Sequence, residues 1–490
     1  MQSQDLSADA AYAALSARDA RFDGRLYVGV TSTGIYCRPV CRVRLPRREN
    51  CRFFASAAQA EAAAFRPCLR CRPELAPRPL AWTTTDASRT LAAQAAAWLD
   101  ACSDPAASVE DLAAHLGITS RHLRRIFAAE HGVTPLQYLQ TRRLLLAKAL
   151  LTDTPLPVAQ VAEAAGFASL RSFNAVFAGH YRLAPTALRR ASGPLTACGE
   201  PALRLAYRPP LAVDALLRFL AARGMPGVEQ VDPAARSISR SLRLRHAGGW
   251  VSGRLVLRFD PVRPQVLLSP CSALWAAVGS LVPLVRRWLD LDADPVAIDA
   301  GLGALAEATP GLRLPGCLDR FELMVRAVLG QQITVAAART LAGRLVARFG
   351  EPLAAAQVAP GVERLFPTPE RLARAAVADL AELGLIRRRA EALITIAQRW
   401  PELEPELSCS APGLALERLC QLPGVGPWTA SYMLMRGWSW PDAFPPGDVV
   451  LRRMLGTPGA PPLTPRAYAD AAERFRPYRS YAVLHLWNNA

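Results

Sequence analysis

The spacing of apolar positions changes several times along the 490-residue chain. Between 87 and 190, apolar residues recur at intervals of about three or four, which predicts amphipathic helices. From 200 to 280, runs such as ISRSLRLRH and GRLVLRF alternate apolar and polar residues and predict antiparallel strands, with one helix at DALLRFLAARG. Helical spacing returns beyond about 290, with breaks at Gly and Pro. The pattern therefore predicts several folded units of different class.

Stretches rich in proline, glycine and serine separate these segments. The clearest are PELAPRPLAWTTTD at 73–86 and RRASGPLTACGEP at 189–201, and a weaker one lies near 283–299. We predict a multidomain α+β protein with a small α/β domain, an all-α domain, an antiparallel sheet with a helix, and a second all-α domain. The predicted domains occupy, in that order, 1–80, 85–192, 200–285 and 286–490.

Composition favours a globular protein that meets a polyanion. Hydrophobic residues make up 51% of the chain and charged residues 20%, which excludes a largely disordered chain. The formal net charge of +17 makes nucleic acid the leading class of partner and an anionic membrane surface the second. The sequence contains no uncharged apolar run of about 18 residues and no secretory signal. We therefore expect no membrane span and a cytoplasmic, nucleoid-associated location.

Four cysteines form the sharpest local pattern. They stand in CRPVC and CLRC and are Cys37, Cys41, Cys68 and Cys71. Two close pairs separated by a long gap can deliver four thiolates to one tetrahedral zinc ion. Many arginines crowd the same stretch, which indicates a zinc module that meets nucleic acid. On spacing alone, an inert structural zinc knuckle remains the alternative.

The segment SVEDLAAHLGITSRHLRRIFAAEHG predicts a helix, a turn at Gly117 and a second helix. Ser108 and Asp111 have the spacing of a capping box, and either Thr119 or Ser120 would cap the second helix. A second copy follows in PVAQVAEAAGFASLRSFNAVFAGHYRLAP. The second helix of each copy can enter a DNA major groove with its outward side chains. The arginines among these side chains are Arg121, Arg124, Arg125 and Arg171.

The paired copies carry the motifs GF-x-S-x-x-x-F and Y-x-x-x-P. In these motifs the segment resembles the AraC-type DNA-binding domain over its whole length. The resemblance implies a double helix-turn-helix domain that binds DNA. Two amphipathic helix hairpins without a role in DNA binding are the alternative.

A tight hairpin between two apolar helices is predicted by LPGVGPWTA at 422–430. Its successive backbone N–H groups can hold a DNA phosphate without a charged side chain, and its carbonyls can hold a monovalent cation. Asp448 lies eighteen residues beyond the hairpin and precedes an apolar helix. Taken alone, this aspartate can be a plain helix cap. The hairpin and the aspartate together resemble the helix-hairpin-helix DNA glycosylases.

Further segments resemble the AlkA type of alkylated-base glycosylase over about 200–490. They include LRLPGCLDRFELMVRAVLGQQIT, FPTPERLA and RSYAVLHLW, and YRPPLAVDALLRFLAARGMPGVEQV at 207–231 resembles the start of the AlkA sheet domain. Members of this family often have an apolar residue at the wedge position, where this chain has glutamine. The positions that the resemblance implies are Asp448 for catalysis, Trp428, Tyr432 and Trp487 for the base pocket, Gln332 for the wedge that fills the gap in the DNA, Gly424, Gly426 and Thr429 for DNA contacts, and the carbonyls of Cys420, Leu422 and Val425 for a monovalent cation.

The chemistry of alkylated purines suits these side chains. Such a base carries positive charge, so its glycosidic bond is already weak, and aromatic faces attract it by about 0.5–2 kcal/mol. The base must leave the duplex to be reached. One carboxylate can then stabilise the positive charge that develops on the sugar or orient water. No acid is needed to protonate a leaving base that is already cationic.

Lys148 is the single lysine of the chain. Glycosylases that also cut the DNA strand use an amine to form a Schiff base. In the lyase members of the helix-hairpin-helix family, a lysine stands at the position of Trp428. We therefore expect a monofunctional glycosylase that leaves an abasic site.

The run RFDGRLYVGVTSTGIYCRPVCRVRLPRRENCRFFASAAQAEAAAFRPCLRCRPE resembles the N-terminal domain of the Ada proteins. The resemblance implies that Cys37 accepts a methyl group from a DNA methylphosphotriester, that the four cysteines hold one zinc ion, and that Arg44 contacts DNA. Methylation would remove one negative charge from the zinc site, strengthen DNA binding and turn the protein into a transcriptional activator. The sequence lacks the PCHR motif of O6-alkylguanine repair, so we do not expect that activity.

Together the patterns predict a bifunctional alkylation-response protein, both a sensor-activator and a 3-methyladenine glycosylase. One alternative is a transcription regulator whose glycosylase half only binds DNA, and another is a glycosylase with a vestigial sensor. The expected partners are alkylated and promoter double-stranded DNA and RNA polymerase. We expect a monomer that does not contact membranes.

Overall fold

Two β-sheets and many helices make up the described part of the chain. The structure is a computed structural model that describes residues 6–77, 87–101, 108–191, 201–246, 249–410, 412–456, 461 and 463–490. A small mixed sheet is followed by a bundle of helices, an antiparallel sheet and a larger set of helices. This order confirms the predicted fold class.

The first unit is built on a four-stranded mixed sheet. Its elements are α1 (Ala8–Ser16), β1 (Tyr27–Val30), β2 (Ile35–Cys37), β3 (Cys51–Phe54), α2 (Ala57–Ala62) and β4 (Arg66–Pro67). The strand order is β3-β1-β2-β4, and β2 and β4 run parallel. Cys37 ends β2 and Cys68 directly follows β4. The parallel pairing therefore brings both cysteine pairs to the same end of the sheet.

The second unit contains two consecutive helix-turn-helix segments, as predicted. Its helices are α3 (Ala87–Ala101), α4 (Val109–His115), α5 (Ser120–His131), α6 (Pro135–Asp153), α7 (Val158–Ala164), α8 (Leu170–Tyr181) and α9 (Pro185–Ala191). Ser108 and Asp111 form the predicted capping box, and Thr119 caps α5. Gly117 and Gly166 turn the chain at φ values of +67° and +82°, where glycine is not strained.

The third unit is a five-stranded antiparallel sheet with one helix packed against it. Its elements are β5 (Leu203–Ala206), α10 (Val213–Arg223), β6 (Glu229–Asp232), β7 (Ser237–His246), β8 (Gly249–Phe259) and β9 (Gln265–Pro270). The strand order is β5-β9-β8-β7-β6. The two alternating runs read from the sequence form the paired strands β7 and β8, which confirms that prediction.

The rest of the described chain is helical. The helices are α11 (Val278–Trp288), α12 (Pro295–Leu302), α13 (Arg320–Leu329), α14 (Val335–Phe349), α15 (Pro369–Ala373), α16 (Val377–Glu382), α17 (Arg387–Cys409), α18 (Pro412–Cys420), α19 (Pro427–Gly437), α20 (Val449–Leu455), α21 (Pro465–Glu473) and α22 (Arg479–Asn488). Helix α11 packs into the core of the antiparallel sheet. The later helices contribute to two further hydrophobic cores, and Tyr432 of α19 packs against both. The candidate base pocket thus lies where the two cores meet. Within the described residues, no helix combines the length and apolar character needed to cross a membrane.

A buried ion cluster, formed by Arg72, Glu74, Lys148 and Asp153, joins the first unit to the second. Lys148 Nζ donates to Glu74, and Arg72 bonds Glu74 at 2.8 Å and Asp153 at 2.6 Å. The side chains of Lys148 and Glu74 are only 1% and 2% exposed. Two cations and two carboxylates therefore neutralise one another inside the contact.

Arg208 joins the first unit to the sheet unit. Its buried guanidinium donates to the backbone carbonyls of Asp23, Pro77 and Asp292. A second link is the ion pair between Arg25 and Asp294 at 2.8 Å. The first unit is therefore packed directly against the sheet unit as well as against the second unit.

Candidate functional site

The hairpin between α18 and α19 exposes backbone donors, as the sequence predicts. Gly424 adopts φ +73° and Gly426 is the N-cap of α19, and both residues are exposed. The first N–H groups of a helix have no partner within it, so those of Trp428 and Thr429 are available at this end. Gln331 braces the hairpin, because its amide donates to Gly424 O at 2.7 Å.

The side chain of Thr429 faces the protein interior. It is 3% exposed, and its hydroxyl accepts a hydrogen bond from Gln331 at 3.1 Å. The side chain is therefore used inside the protein, and only the backbone N–H of Thr429 can face DNA. Gln332 is exposed and adopts φ +59°, an uncommon conformation for a residue other than glycine.

Asp448 lies at the start of α20, close to the hairpin. Its Oδ1 accepts the backbone N–H of Leu451 at 2.9 Å, and its Oδ2 accepts the indole N–H of Trp428 at 2.9 Å. The residue is 8% exposed, whereas the next residue, Val449, is 80% exposed. The carboxylate therefore does cap a helix, but a side chain of the base pocket also orients it.

Three aromatic side chains meet beside this carboxylate. Trp428 and Tyr432 stack with ring centres 5.3 Å apart and an angle of 11° between the planes. The ring centres of Trp487 and Tyr432 are 6.3 Å apart, with an angle of 48° between the ring planes. All three are half-buried, so part of each ring remains open. The structure thus brings the predicted pocket residues into one row of contacts that begins at Asp448.

Arg436 was missed by the sequence analysis. Its Nη1–H donates to the Tyr432 hydroxyl at 2.7 Å. Burial raises the pKa of the Tyr432 phenol, but the nearby guanidinium groups of Arg436 and Arg223 outweigh it, so the pKa lies below its ordinary value. Trp428, Tyr432 and Arg436 follow one another at intervals of four, a helical spacing that could have revealed the contact.

The carbonyls expected to hold a monovalent cation are partly engaged. Leu422 O accepts the N–H of Val425 at 3.1 Å, which leaves one lone pair on that oxygen. Cation binding at the hairpin stays a prediction.

The four predicted zinc ligands come together at the end of the small sheet. The sulfur atoms of Cys37, Cys41, Cys68 and Cys71 all lie within 4.8 Å of one another. Four sulfurs around a tetrahedral zinc ion would be about 3.8 Å apart, so these residues fit zinc. Cys37, Cys41 and Cys68 are buried, and Cys71 is partly exposed.

Two further observations concern the four sulfurs. The backbone N–H of Arg38 donates to the Cys71 sulfur at 3.4 Å. Cys37 and Cys41 both line a surface pocket beside the sheet, which gives a reactant access to this side of the cluster.

The remaining arginines predicted to bind DNA lie on the surface. These are Arg44, Arg121, Arg124, Arg125 and Arg171, all exposed. Arg124 makes a 2.9 Å ion pair with Glu110, and Arg125 bonds His122. Their contact with DNA stays a prediction.

Family models match four consecutive segments of the chain. They are the metal binding domain of Ada at 10–74, a helix-turn-helix domain at 112–191, the AlkA N-terminal domain at 202–319, and the HhH-GPD superfamily of base excision DNA repair proteins at 325–467. The matches confirm the resemblances drawn from the sequence. The match to the AlkA N-terminal domain runs past 285, where we predicted that domain to end.

A relative from Mycobacterium tuberculosis is similar along almost the whole chain. It is described as a probable bifunctional transcriptional activator/DNA repair enzyme AlkA, and it is 39% identical over 97% of this chain and 95% of its own length. The chain belongs to this bifunctional AlkA family. The similarity to this relative therefore extends over all four matched segments.

Two Escherichia coli relatives are each similar to part of the chain. DNA-3-methyladenine glycosylase 2 is 39% identical over 58% of this chain and 95% of its own length. The bifunctional transcriptional activator/DNA repair enzyme Ada is 38% identical over 28% of this chain and 37% of its own length. The Ada match thus covers only part of that protein.

Proposed function

We propose that the chain both senses and repairs DNA alkylation. Its C-terminal half releases alkylated purines such as 3-methyladenine from DNA without cutting the strand. Its N-terminal half accepts a methyl group on Cys37 and then activates transcription. We assign these roles to domains at 1–80, 85–192, 200–285 and 286–490.

The contact between Asp448 and the aromatic pocket carries the glycosylase proposal. A cationic base that enters the pocket meets the faces of Trp428 and Tyr432, which attract positive charge. Its sugar then lies near the Asp448 carboxylate, which stabilises positive charge on that sugar and receives the proton of the attacking water. The hairpin holds the DNA backbone through its N–H groups, with a monovalent cation at its carbonyls and Gln332 in the vacated gap.

Asp448→Asn tests this role. Asparagine can keep the cap to Leu451, but its amide would oppose the N–H of Trp428, and the negative charge is lost. A unit charge about 4 Å from the sugar is worth up to about 4 kcal/mol, so we expect the rate of base release to fall about 1000-fold. The control is Asp470→Asn, at an exposed aspartate of α21, which should release base at the normal rate.

Release of 3-methyladenine is measured under single-turnover conditions, together with binding to the same duplex. If wild type and Asp448→Asn bind damaged DNA equally and neither releases base, the glycosylase half only binds DNA and the proposal fails. Strand cleavage by purified protein, without added base or nuclease, would contradict the absence of lyase activity.

Cys37 is proposed as the methyl acceptor because it stands at the acceptor position of the Ada-type cysteine quartet and lines the surface pocket beside the sheet. Cys71, by contrast, accepts a hydrogen bond from the backbone N–H of Arg38, which lowers the electron density that its sulfur can offer to carbon. In the transfer, a bond forms between the Cys37 sulfur and the methyl carbon while the bond from that carbon to the phosphate oxygen breaks. The phosphate regains its negative charge, and the thioether product is not regenerated. Zinc, when bound by the four cysteines, would keep their sulfurs as thiolates at neutral pH.

Peptide mass spectrometry of wild-type protein treated with methylphosphotriester DNA tests the acceptor without altering the zinc ligands. We expect one added methyl group on Cys37, and a methyl group on another cysteine would overturn the assignment. DNA footprints before and after the reaction test the switch, with Arg44 and the exposed arginines of α5 and α8 as the expected contacts. RNA polymerase is the proposed partner of the methylated monomer.

A further inference from the structure

Three arginines, Arg223, Arg326 and Arg436, lie together behind the base pocket, and we call them the arginine cluster. The guanidinium carbon of Arg436 lies 5.6 Å from the ring centre of Tyr432 and 5.1 Å from that of Phe219. Arg223 stands 3.9 Å over the same Phe219 ring. Arg326 donates to the backbone carbonyl of Arg223. The three side chains line one small cavity.

The charge of this cluster is only partly neutralised. Arg326 pairs with Glu322 at 3.0 Å, and Arg240 pairs with both Glu322 and Glu229. In the described part of the chain, the other two members of the cluster have no carboxylate within salt-bridge distance. Four guanidinium groups thus face two carboxylates, which leaves a net positive charge behind the pocket.

Arg223 remains charged at neutral pH in this setting. Burial lowers the pKa of its guanidinium to about 10, still well above neutrality. Within the described residues, its side chain donates a hydrogen bond only to the carbonyl of Phe219, at 3.4 Å. Arg436, in contrast, also bonds the carbonyls of Pro315 and Gly316.

The cluster and the catalytic carboxylate lie at opposite ends of one row of side chains. Trp428, Tyr432 and Arg436 occupy successive positions four residues apart on α19, so each step is about 6 Å along the helix axis. Trp428 holds Asp448 at one end, and Arg436 lies at the other. A base against the two aromatic rings would therefore lie between positive charge and negative charge.

We propose that the arginine cluster promotes cleavage of the glycosidic bond by favouring the movement of its electrons onto the base. When this bond breaks, both electrons go to the base nitrogen and positive charge appears on the sugar beside Asp448. A water oxygen then bonds the sugar carbon, and its proton passes to Asp448 and on to solvent. The fixed electric field between the arginine cluster and Asp448 stabilises the transition state, because the electrons of the breaking bond move towards the positive end of this field. The inference rests on the glycosylase role proposed above.

Removing one charge from the cluster has different effects on binding and on bond cleavage. A cationic base is repelled before its bond breaks, so it should bind more tightly after the change. A neutral base carries no net charge in the pocket, so its binding should stay the same. Bond cleavage should slow for both, since electrons move onto the base in either case. A unit charge about 9 Å away at an effective dielectric of about 20 changes an equilibrium about 20-fold.

Arg223→Met removes one charge and keeps most of the side-chain stem, and Arg223→Lys is the matched control that keeps the charge. Each full-length variant is tested on one duplex with cationic N7-methylguanine and another with neutral hypoxanthine. Binding and the single-turnover rate of base release are measured separately. For Arg223→Met we expect about 20-fold tighter binding of the cationic base only, and about 5-fold slower release of both bases. The lysine variant should match wild type on both duplexes.

Equal losses of binding for both duplexes would assign Arg223 a structural role and overturn the inference. Release rates unchanged in Arg223→Met would also overturn it. If wild type releases neither of these bases nor 3-methyladenine, the proposed glycosylase function itself fails. That outcome is distinct from an active wild-type enzyme whose Arg223→Met variant behaves like it. If wild type releases only N7-methylguanine, the binding measurements still test the inference. Arg223→Met should then bind the N7-methylguanine duplex more tightly than wild type does, and the hypoxanthine duplex equally.

Discussion

Replacing Lys148 by methionine should loosen the contact between the zinc-binding unit and the helix-turn-helix unit. In this variant the buried carboxylates of Glu74 and Asp153 share one close cation, Arg72. A second cation, Arg204, lies 3.9 Å from Asp153. Removing one partner of a buried ion pair typically costs about 3–5 kcal/mol. Because Arg72 keeps its bond to Glu74, we expect a cost near the lower end, about 3 kcal/mol.

Hydrogen–deuterium exchange of peptides from α6 and from 66–77 measures this opening directly. A loss of about 3 kcal/mol should speed amide exchange there about 100-fold, while peptides from the β7–β8 hairpin remain unchanged. The double variant Lys148→Met with Glu74→Gln removes both charges. It should recover most of the loss, because no unpaired charge is left in the contact.

Lowering the pH should loosen the same contact as Lys148→Met does. Burial raises the pKa of Glu74, but Lys148 and Arg72 outweigh it and hold the pKa below its ordinary value. The contribution of this carboxylate is therefore complete above about pH 4.3 and is lost as the pH falls through the lowered value. Exchange rates in the single variant equal to wild type, or a double variant as labile as the single, would refute the reasoning.

Three further outcomes follow from the same structure. Trp428→Phe keeps the stacked ring but loses the N–H donated to the Asp448 carboxylate, so the single-turnover rate should fall about 10-fold with DNA binding unchanged; equal rates would contradict it. Gly424→Ala places a side chain at φ +73° and should weaken binding to abasic-site DNA by about 1–2 kcal/mol in fluorescence anisotropy, whereas Gly413→Ala on α18 should not. The hydrogen bond to Glu61 raises the pKa of His180, so their contribution to thermal stability should be present below about pH 6.5 and be lost as pH rises through the raised value; a His180→Gln variant should lack this pH dependence.

Local patterns in the sequence were sufficient for much of the fold. The capping box at Ser108, the glycine turns and the alternating strands each depend on residues close together in the chain. The cysteine pairs and the hairpin at 422–430 could be read in the same way. These features appear in the structure because short-range spacing decides which face of a helix or strand is apolar.

Contacts between distant segments could not be predicted in this way. Lys148 meets Glu74, and Arg208 meets the carbonyl of Asp23, but spacing along the chain does not say which faces of different units pack together. The burial of Thr429 has the same cause, since its partner Gln331 lies in the turn between α13 and α14, far away in the sequence. The positive charge behind Tyr432 likewise comes from arginines on three different helices, α10, α13 and α19, so the spacing along one helix does not reveal it.

Because Lys148 is buried, cleavage of the chain at this residue can report the separation of the two units. A protease that cuts only after lysine has a single peptide bond to attack in the whole sequence. That lysine is 1% exposed and lies within the contact between two units. Each cleavage event would therefore count one opening of that contact, and the rate of appearance of the two fragments could follow methylation or DNA binding without any label.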